Sequence, residues 1–480
     1  MKLSRLPRPA RLGIVAAGAL ALAACASTGK PNTASSTPAK KGPGLNKGYA
    51  HDPFPSTYKA YPGTPTLVTN VTIFDGEGGK VERGSVLFAG GKIVSVGPST
   101  GEVFTGVTVI DGTGKWVTPG IIDVHSHLGN GPSPSVSGNS DVNEATDPVT
   151  ADVWAEHGVW PQDPGFSRAL VNGGVTTLQI LPGSANLFGG RSVTLKNVYA
   201  RTAQGMKFPG APYGMKMACG ENPKRVYGGK GRKPSTRMGN IAVVRATWAR
   251  AADYKRRWDK YEKDGGEAPA RDLALDTLRG VLAGEILVHN HCYRADEMAL
   301  VMDVAKEFNY KVTAFHHAVE SYKIADQLKA NGACSAVWAD WYGFKMESFD
   351  GIHENLALLE NAGACAMIHS DDENGIQRLN QEVAKALAAG RRAGINIPEE
   401  RAWTWLGINP ARALGIDAVT GSLKPGKMAD VVLWNGHPFS AYSRPEKVWV
   451  DGALLYDAND PTRRPVSDFE LGQRGEGDVK

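Results

Sequence analysis

Cysteine is scarce in this chain, five in 480 residues, and no two stand in a Cys-x-x-Cys spacing. That excludes a zinc knuckle or a thiolate-ligated cluster, which needs thiolates at short, regular intervals. An excess of charge of one sign is missing as well: 54 Lys and Arg face 49 Asp and Glu, for a formal net charge of +5. A surface so mixed and well solvated does not call for nucleic acid as a partner. No internal repeat recurs, which excludes a solenoid. The apolar run at residues 12–24 is too short to cross a membrane as a permanent helix, which takes about 20 residues.

That run follows Lys2, Arg5, Arg8 and Arg11 and has the make-up of an export signal. It ends in Leu22-Ala23-Ala24-Cys25, which resembles the lipobox of bacterial lipoproteins. The resemblance implies a lipoprotein signal over residues 1–25, with Cys25 lipidated as the mature N-terminus. Ala26 in place of an aspartate implies the outer membrane by similarity to sorting rules, so the expected location is the periplasmic face of a bacterial membrane. Residues 26–64 are rich in Ser, Thr, Pro, Lys and Gly and predict a flexible tether. Cys219, Cys292, Cys334 and Cys365 remain; export permits disulfides, and spacing does not say which thiols meet.

From Leu67 the chain alternates β-branched runs with turn formers such as Asp75-Gly76, Gly90-Gly91 and Asp111-Gly112. The same texture returns in Val431-Val432-Leu433-Trp434 and Lys447-Val448-Trp449-Val450. Residues 65–118 and 416–470 thus predict one composite β-sandwich built from both flanks. Between them, residues 119–415 alternate apolar strands with amphipathic helices, an α/β pattern whose length predicts a TIM-like (β/α)8 barrel with insertions. One insertion, residues 222–264, is heavy in Lys, Arg, Trp and Tyr. A loop feeding a solvated helix accounts for it better than a nucleic-acid surface, and its cations are also suited to an acidic substrate group.

The chemistry concentrates at strand ends. Pro119-Gly120-Ile121-Ile122-Asp123-Val124-His125-Ser126-His127 closes an apolar strand with two histidines whose side chains, at i and i+2, leave one face. Later strands end in Val288-His289-Asn290-His291, Phe315-His316-His317 and Ile368-His369-Ser370-Asp371-Asp372. A lone strand histidine is usually a core residue. Repeated at successive strand ends beside a carboxylate, it points to Zn²⁺ or a similar divalent ion.

These motifs, with Asn409-Pro410-Ala411-Arg412-Ala413-Leu414-Gly415 and Gly421-Ser422-Leu423-Lys424-Pro425-Gly426-Lys427-Met428-Ala429-Asp430, resemble the amidohydrolase superfamily, most closely its imidazolonepropionase-like members. The resemblance implies one or two divalent ions, Zn²⁺ first, with Mn²⁺, Fe²⁺ or Co²⁺ as substitutes. It implies His125 and His127 as ligands from the first barrel strand, His291 from the fifth, His317 from the sixth, and Asp371 as ligand and general base. Alignment on Arg294-Ala295-Asp296 selects His291, while strand parity also allows His289. Asp372 is the neighbouring alternative to Asp371. For a ligand bridging two metals, Glu221 is preferred because it falls just past the strand, and Lys216, if carboxylated, is the alternative. His291 or Tyr322 is placed to steady an oxyanion.

The activity so implied is hydrolysis of a C–N amide bond in a small peptide, an N-acyl amino acid or a cyclic amide. A deaminase or a lactone or ester hydrolase would use the same site, and a non-catalytic ligand-binding lipoprotein is the alternative of another class. The expected partner is a small-molecule substrate, and a homo-oligomer is compatible with the chain. Substrate choice belongs to the loops at residues 129–166 and 222–264.

Overall fold

In the computed structural model residues 52–101, 105–133 and 135–463 are described. The export signal, Cys25, the tether up to residue 51, and residues 464–470 of the second flank lie outside them. Short β-branched runs form β1 (Thr66–Phe74), β2 (Lys80–Ala89), β3 (Lys92–Pro98), β4 (Thr108–Asp111) and β5 (Trp116–Pro119). The central region supplies β6 (Ile121–Ser126), β7 (Val175–Ile180), β8 (Phe188–Lys196), β9 (Gly214–Ala218), β10 (Leu287–Cys292), β11 (Ala314–His317), β12 (Cys334–Val337) and β13 (Cys365–Ile368). The second flank adds β14 (Val431–Trp434), β15 (Pro445–Val450) and β16 (Ala453–Asp457).

The two flanks do combine, but in one hydrogen-bonded sheet ordered β16-β15-β14-β5-β1-β2-β3, with β4 on β1, where a two-layered sandwich was expected. The two chain ends meet where β14 pairs antiparallel with β5, Val431 opposite Pro119 and Leu433 opposite Val117. Alternate residues of these strands, among them Val71, Ile73, Val86, Phe88, Val117, Leu433 and Trp449, turn to a common core.

The other eight strands run in spatial order β6 to β13 and make a nearly closed barrel. β6, β7 and β8 are buried along their whole length, in keeping with a sheet covered on both faces. The barrel departs from the all-parallel expectation at β8, which is antiparallel to both neighbours. Only residues 181–187 separate β7 from β8, too few for a crossover helix, so the chain can only turn back. The gap between β13 and β6 is bridged just past the strand, where Asp371 N donates to His125 O at 3.0 Å.

Two disulfides staple neighbouring strands. Cys334 and Cys365 are register partners at the starts of β12 and β13, and Cys219–Cys292 joins the ends of β9 and β10. The helix Arg237–Asp264 accounts for most of the basic insertion. Its aromatic residues face inward, with Trp248, Tyr254 and Trp258 buried, and its cations pair with acids, as in Arg245–Glu307 at 2.6 Å and Arg237–Asp296 at 2.9 Å.

The tether assignment needs correction for its last residues. Lys207 Nζ and the Tyr213 hydroxyl donate to Asp52 at 2.7 and 2.8 Å, Ser56 Oγ donates to Lys207 O at 2.6 Å, and Tyr61 is buried. Aromatic side chains among polar residues give this stretch something to bury, which a count of Ser, Thr and Pro overlooks.

Barrel and sheet are joined by a buried ion cluster. Lys196 on β8 donates to Asp430 and Asp451, each at 3.0 Å, while the Tyr58 hydroxyl donates to Asp451 at 2.5 Å. The Lys196 side chain is fully buried. Lys196→Met leaves two buried carboxylates without their cation and is expected to destabilise the fold by about 3–5 kcal/mol. Urea unfolding measures this, and a loss below about 1 kcal/mol would reduce the cluster to an ordinary surface pair.

Candidate metal centre

Residues from β6, β9, β10 and β11 and from the segment after β13 converge on one carboxylate. His125 on β6 and His127 just beyond it both bring Nε2 against the same oxygen of Asp371, at 3.2 and 3.1 Å. His317 at the end of β11 places Nδ1 3.8 Å from the other Asp371 oxygen. Two trios could each hold an ion: His125, His127 and Asp371, and His125, His317 and His369, their ligand atoms within 4.8 Å of one another. Backbone conformation helps to aim these groups. His317, Ala318 and Asp371 carry φ of 69°, 38° and 56°, a left-handed region that non-glycine residues enter at a cost and keep where the surroundings enforce it.

Strand register explains which neighbours join them. In the parallel pairing Lys216 lies opposite His289, and Ala218 opposite His291, which in turn lies opposite His316. Lys216 reaches to within 3.4 Å of His125 Nε2 and donates to Pro182 O at 3.0 Å. A chain of imidazoles continues from His125: Nδ1 lies 2.9 Å from His316 Nδ1, and His316 Nε2 lies 2.9 Å from His289 Nδ1. The ring of His291 is 4.5 Å from that of His317, and its Nε2 is 3.5 Å from Asn222 Nδ2.

Glu221, preferred from sequence as the bridge, is not brought to this cluster. It opens the helix Glu221–Gly228, and its Oε2 accepts from Glu347 N at 3.4 Å while its own N–H donates to Glu347 Oε2 at 2.8 Å. Falling just past a strand end was a poor guide, because the turn at Gly220 swings the chain towards the loop after β12. Lys216 stands at the cluster instead. Tyr322 is likewise turned away, its hydroxyl donating to Asp350 O at 3.0 Å, and Asp372 caps the following turn through the Asn374 N–H at 2.9 Å.

Electrostatics favour neutral nitrogen donors around an anion. Burial, reinforced by Lys216, holds His125, His291 and His316 far below the ordinary imidazole range, and burial with His291 does the same to His317. His289 and His369 are pushed down to about 3, first by burial. Burial also lowers the Lys216 amine to about 8. Burial alone would raise the Asp371 carboxyl; the imidazoles of His317 and His127 against it outweigh that and hold it below the usual carboxylate range. Imidazole nitrogens remain without a hydrogen-bond partner, among them His291 Nδ1, His317 Nδ1 and His369 Nδ1. Buried polar atoms are rarely left so, and several in one cluster, with neutral imidazoles and one carboxylate, are a donor set that suits a divalent cation.

Three contributors carry no role in the sequence reading. His369 ends a strand as the other histidines do, but lies two positions before the aspartate of the family pattern. Asp123, fully buried, accepts from His125 N at 3.1 Å, from Ser370 N at 3.2 Å and from the Ser370 hydroxyl. Glu347 belongs to a loop without motif, and only the fold brings it beside Glu221.

Residues 116–456 match the amidohydrolase family. The chain is 31% identical to the amidohydrolase tasK of Hapsidospora irregularis over 82% of its own length, and spans 43% of the length of that relative. Over 111 residues it is 37% identical to a 5-methylthioadenosine/S-adenosylhomocysteine deaminase of Halalkalibacterium halodurans, 22% of this chain and 23% of that one. Among solved structures, an amidohydrolase from Thermotoga maritima is 34% identical and superposes with a TM-score of 0.76, over 82% of this chain and 100% of the other.

Ser370→Ala removes a hydroxyl that donates to the buried Asp123 carboxylate, and is expected to cost about 1–3 kcal/mol of stability. Denaturant unfolding reads this directly. A variant as stable as the wild type would mean that Asp123 does not hold β6 to the end of β13.

Proposed function

We propose, for a chain that belongs to the amidohydrolase family, that it is a metal-dependent hydrolase of C–N amide bonds. The proposed ligands are His125, His127, Lys216, His291, His317 and Asp371. The observation that carries this reading is the meeting of His125 Nε2 and His127 Nε2 on one Asp371 oxygen, with Lys216 beside them. A bound divalent ion, Zn²⁺ foremost, would supply Lewis acidity and bring the pKa of a bound water from about 15.7 towards 7.

The residues divide the remaining work. Asp371 has one oxygen against His125 and His127 and the other facing His317, so a single carboxylate can both ligate and exchange a proton. It takes the proton of the attacking water and returns it to the leaving nitrogen. For His125 to offer the Nε2 lone pair, its proton must sit on Nδ1 and be donated to His316 Nδ1. His316 then donates from Nε2 to His289 Nδ1, and the proton of His289 falls on Nε2. In that tautomer His289 supports the cluster from beneath, and the fifth-strand ligand is His291. Lys216 replaces Glu221 as the proposed bridge. A buried amine with its pKa near 8 is partly unprotonated at neutral pH and can add CO₂, forming an N–C bond and releasing a proton.

The motifs favour the imidazolonepropionase-like branch. Two disulfides between neighbouring strands suit an oxidising compartment and support export, with lipidation at Cys25 the proposed anchor. Deamination is the second reading, favoured by the partial similarity to a deaminase.

Metal analysis of the purified chain is expected to find about one or two divalent ions. Lys216→Ala should lose metal while Glu221→Gln keeps it, and intact mass should carry one CO₂ that the Lys216 variant lacks. The reverse pattern would return the bridge to Glu221. Asp371→Asn should lower kcat by about 10²–10⁴. Undiminished turnover in that variant would refute its role as base, and a metal-loaded wild type inert towards peptides, N-acyl amino acids, lactones and aminopurines would leave a binding protein.

A further inference from the structure

The segment that follows β12 reads Trp338-Ala339-Asp340-Trp341-Tyr342-Gly343-Phe344-Lys345-Met346-Glu347-Ser348-Phe349. Its rings start at the metal centre. The Trp338 indole stacks on His317 at 4.5 Å and 26°, and its Nε1 donates to Ser370 O at 2.9 Å, one residue before Asp371. Trp341 stacks on Trp338 in turn at 5.5 Å and 29°, and Phe344 meets Trp338 edge-on at 5.9 Å. The stack runs outward into solvent, for Trp341 is 40% exposed and Phe344 58%. A narrow recess beside it is lined by His317, Val319, Trp338, Trp341, Tyr342 and Asn355.

This surface is held in place. Glu347 and Glu221 exchange backbone-to-carboxylate hydrogen bonds, and Lys345 donates to Glu347 Oε1 at 2.8 Å and to Asn222 Oδ1 at 3.3 Å. The Lys345 ammonium also lies 3.8 Å from the centre of the Tyr293 ring. Gly220 makes the closure possible: at φ 80° it lets Glu347 approach so near that a Cβ would stand 2.3 Å from its Oε2.

We propose that residues 338–349 form a preformed aromatic wall that seats an aromatic or large aliphatic side chain beside the reacting bond, so that the substrate class is an amide carrying such a group. The inference rests on the hydrolase reading above and names its specificity. Substrate is the occupant because the wall is continuous with the centre. Its inner ring is 8% exposed and touches a proposed ligand, out of reach of a flat partner, and aromatic rings that line the way into a site are what orients an apolar substrate group.

The test uses the metal-loaded full chain with matched probes, N-acetyl-phenylalanine against N-acetyl-alanine and Ala-Phe and Phe-Ala against Ala-Ala. At least one aromatic probe should exceed its alanine counterpart by about tenfold or more in kcat/KM. Phe344→Ala and Trp341→Ala, both at exposed positions, should raise KM for that probe about fivefold with kcat and the alanine probe unchanged, and Phe344→Tyr should restore it. Equal handling of both series by the wild type, or equal loss on both in the variants, overturns the wall. If none of these probes is turned over, calorimetric binding of N-acetyl-phenylalanine decides the wall: binding weakened by Phe344→Ala keeps it and no binding overturns it, while the hydrolase reading falls only if lactones and aminopurines are left untouched as well. Variants that lose only adsorption to phosphatidylglycerol vesicles would make the segment a membrane-facing surface and overturn the proposal.

Discussion

The Asp123 carboxylate fastens the first barrel strand to the last. It has no exposure to solvent, and three hydrogen bonds reach it, from the backbone of His125 and from the backbone and hydroxyl of Ser370. Burial pushes this carboxyl up to about 7 against the pull of those donors, so its place in the fold is maintained at some cost. The return is positional. With His125 and Ser370 clamped to one side chain, Asp371 arrives beside both strand-end histidines although nearly 250 residues separate them in sequence. Disturbing the clamp would move the carboxylate away from the imidazoles without touching either.

A second constraint is electrical. Buried imidazoles and a buried amine lose their protons more readily than they would in water, and a cation needs ligands in that state. Packing Lys216 among histidines reinforces the effect, since each positive charge discourages the others. Asp371 is the anion at the centre of these groups; burial works against its charge, and His317 with the hydrogen bond from His127 holds its carboxyl below the usual range.

Much of this was legible in the sequence because it follows a two-residue period. His125 and His127 share a face by spacing alone, and apolar runs ending in His317 and Asp371 announce strands that stop at one end of a barrel. What was illegible depends on direction or on distant partners. β8, with Gly189, Gly190, Arg191 and Lys196 among its residues, does not read as a buried strand, because the partners that make Lys196 tolerable lie on the far flank at Asp430 and Asp451. Glu221 looked well placed until the turn at Gly220 carried it towards Glu347, a residue that nothing in its neighbourhood marks. Which cysteines pair was equally hidden, since Cys219 and Cys292 become neighbours only when β9 lies beside β10.

The ammonium of Lys196 ties the two sheets into a single structural unit. Its carboxylates come from the second flank, and one of them is also bonded by Tyr58 ahead of the first strand. A barrel excised at residues 119–415 would carry a stranded cation in its wall, so neither the segment that holds Tyr58 nor the flank that holds Asp430 and Asp451 can be cut away without unsettling the barrel.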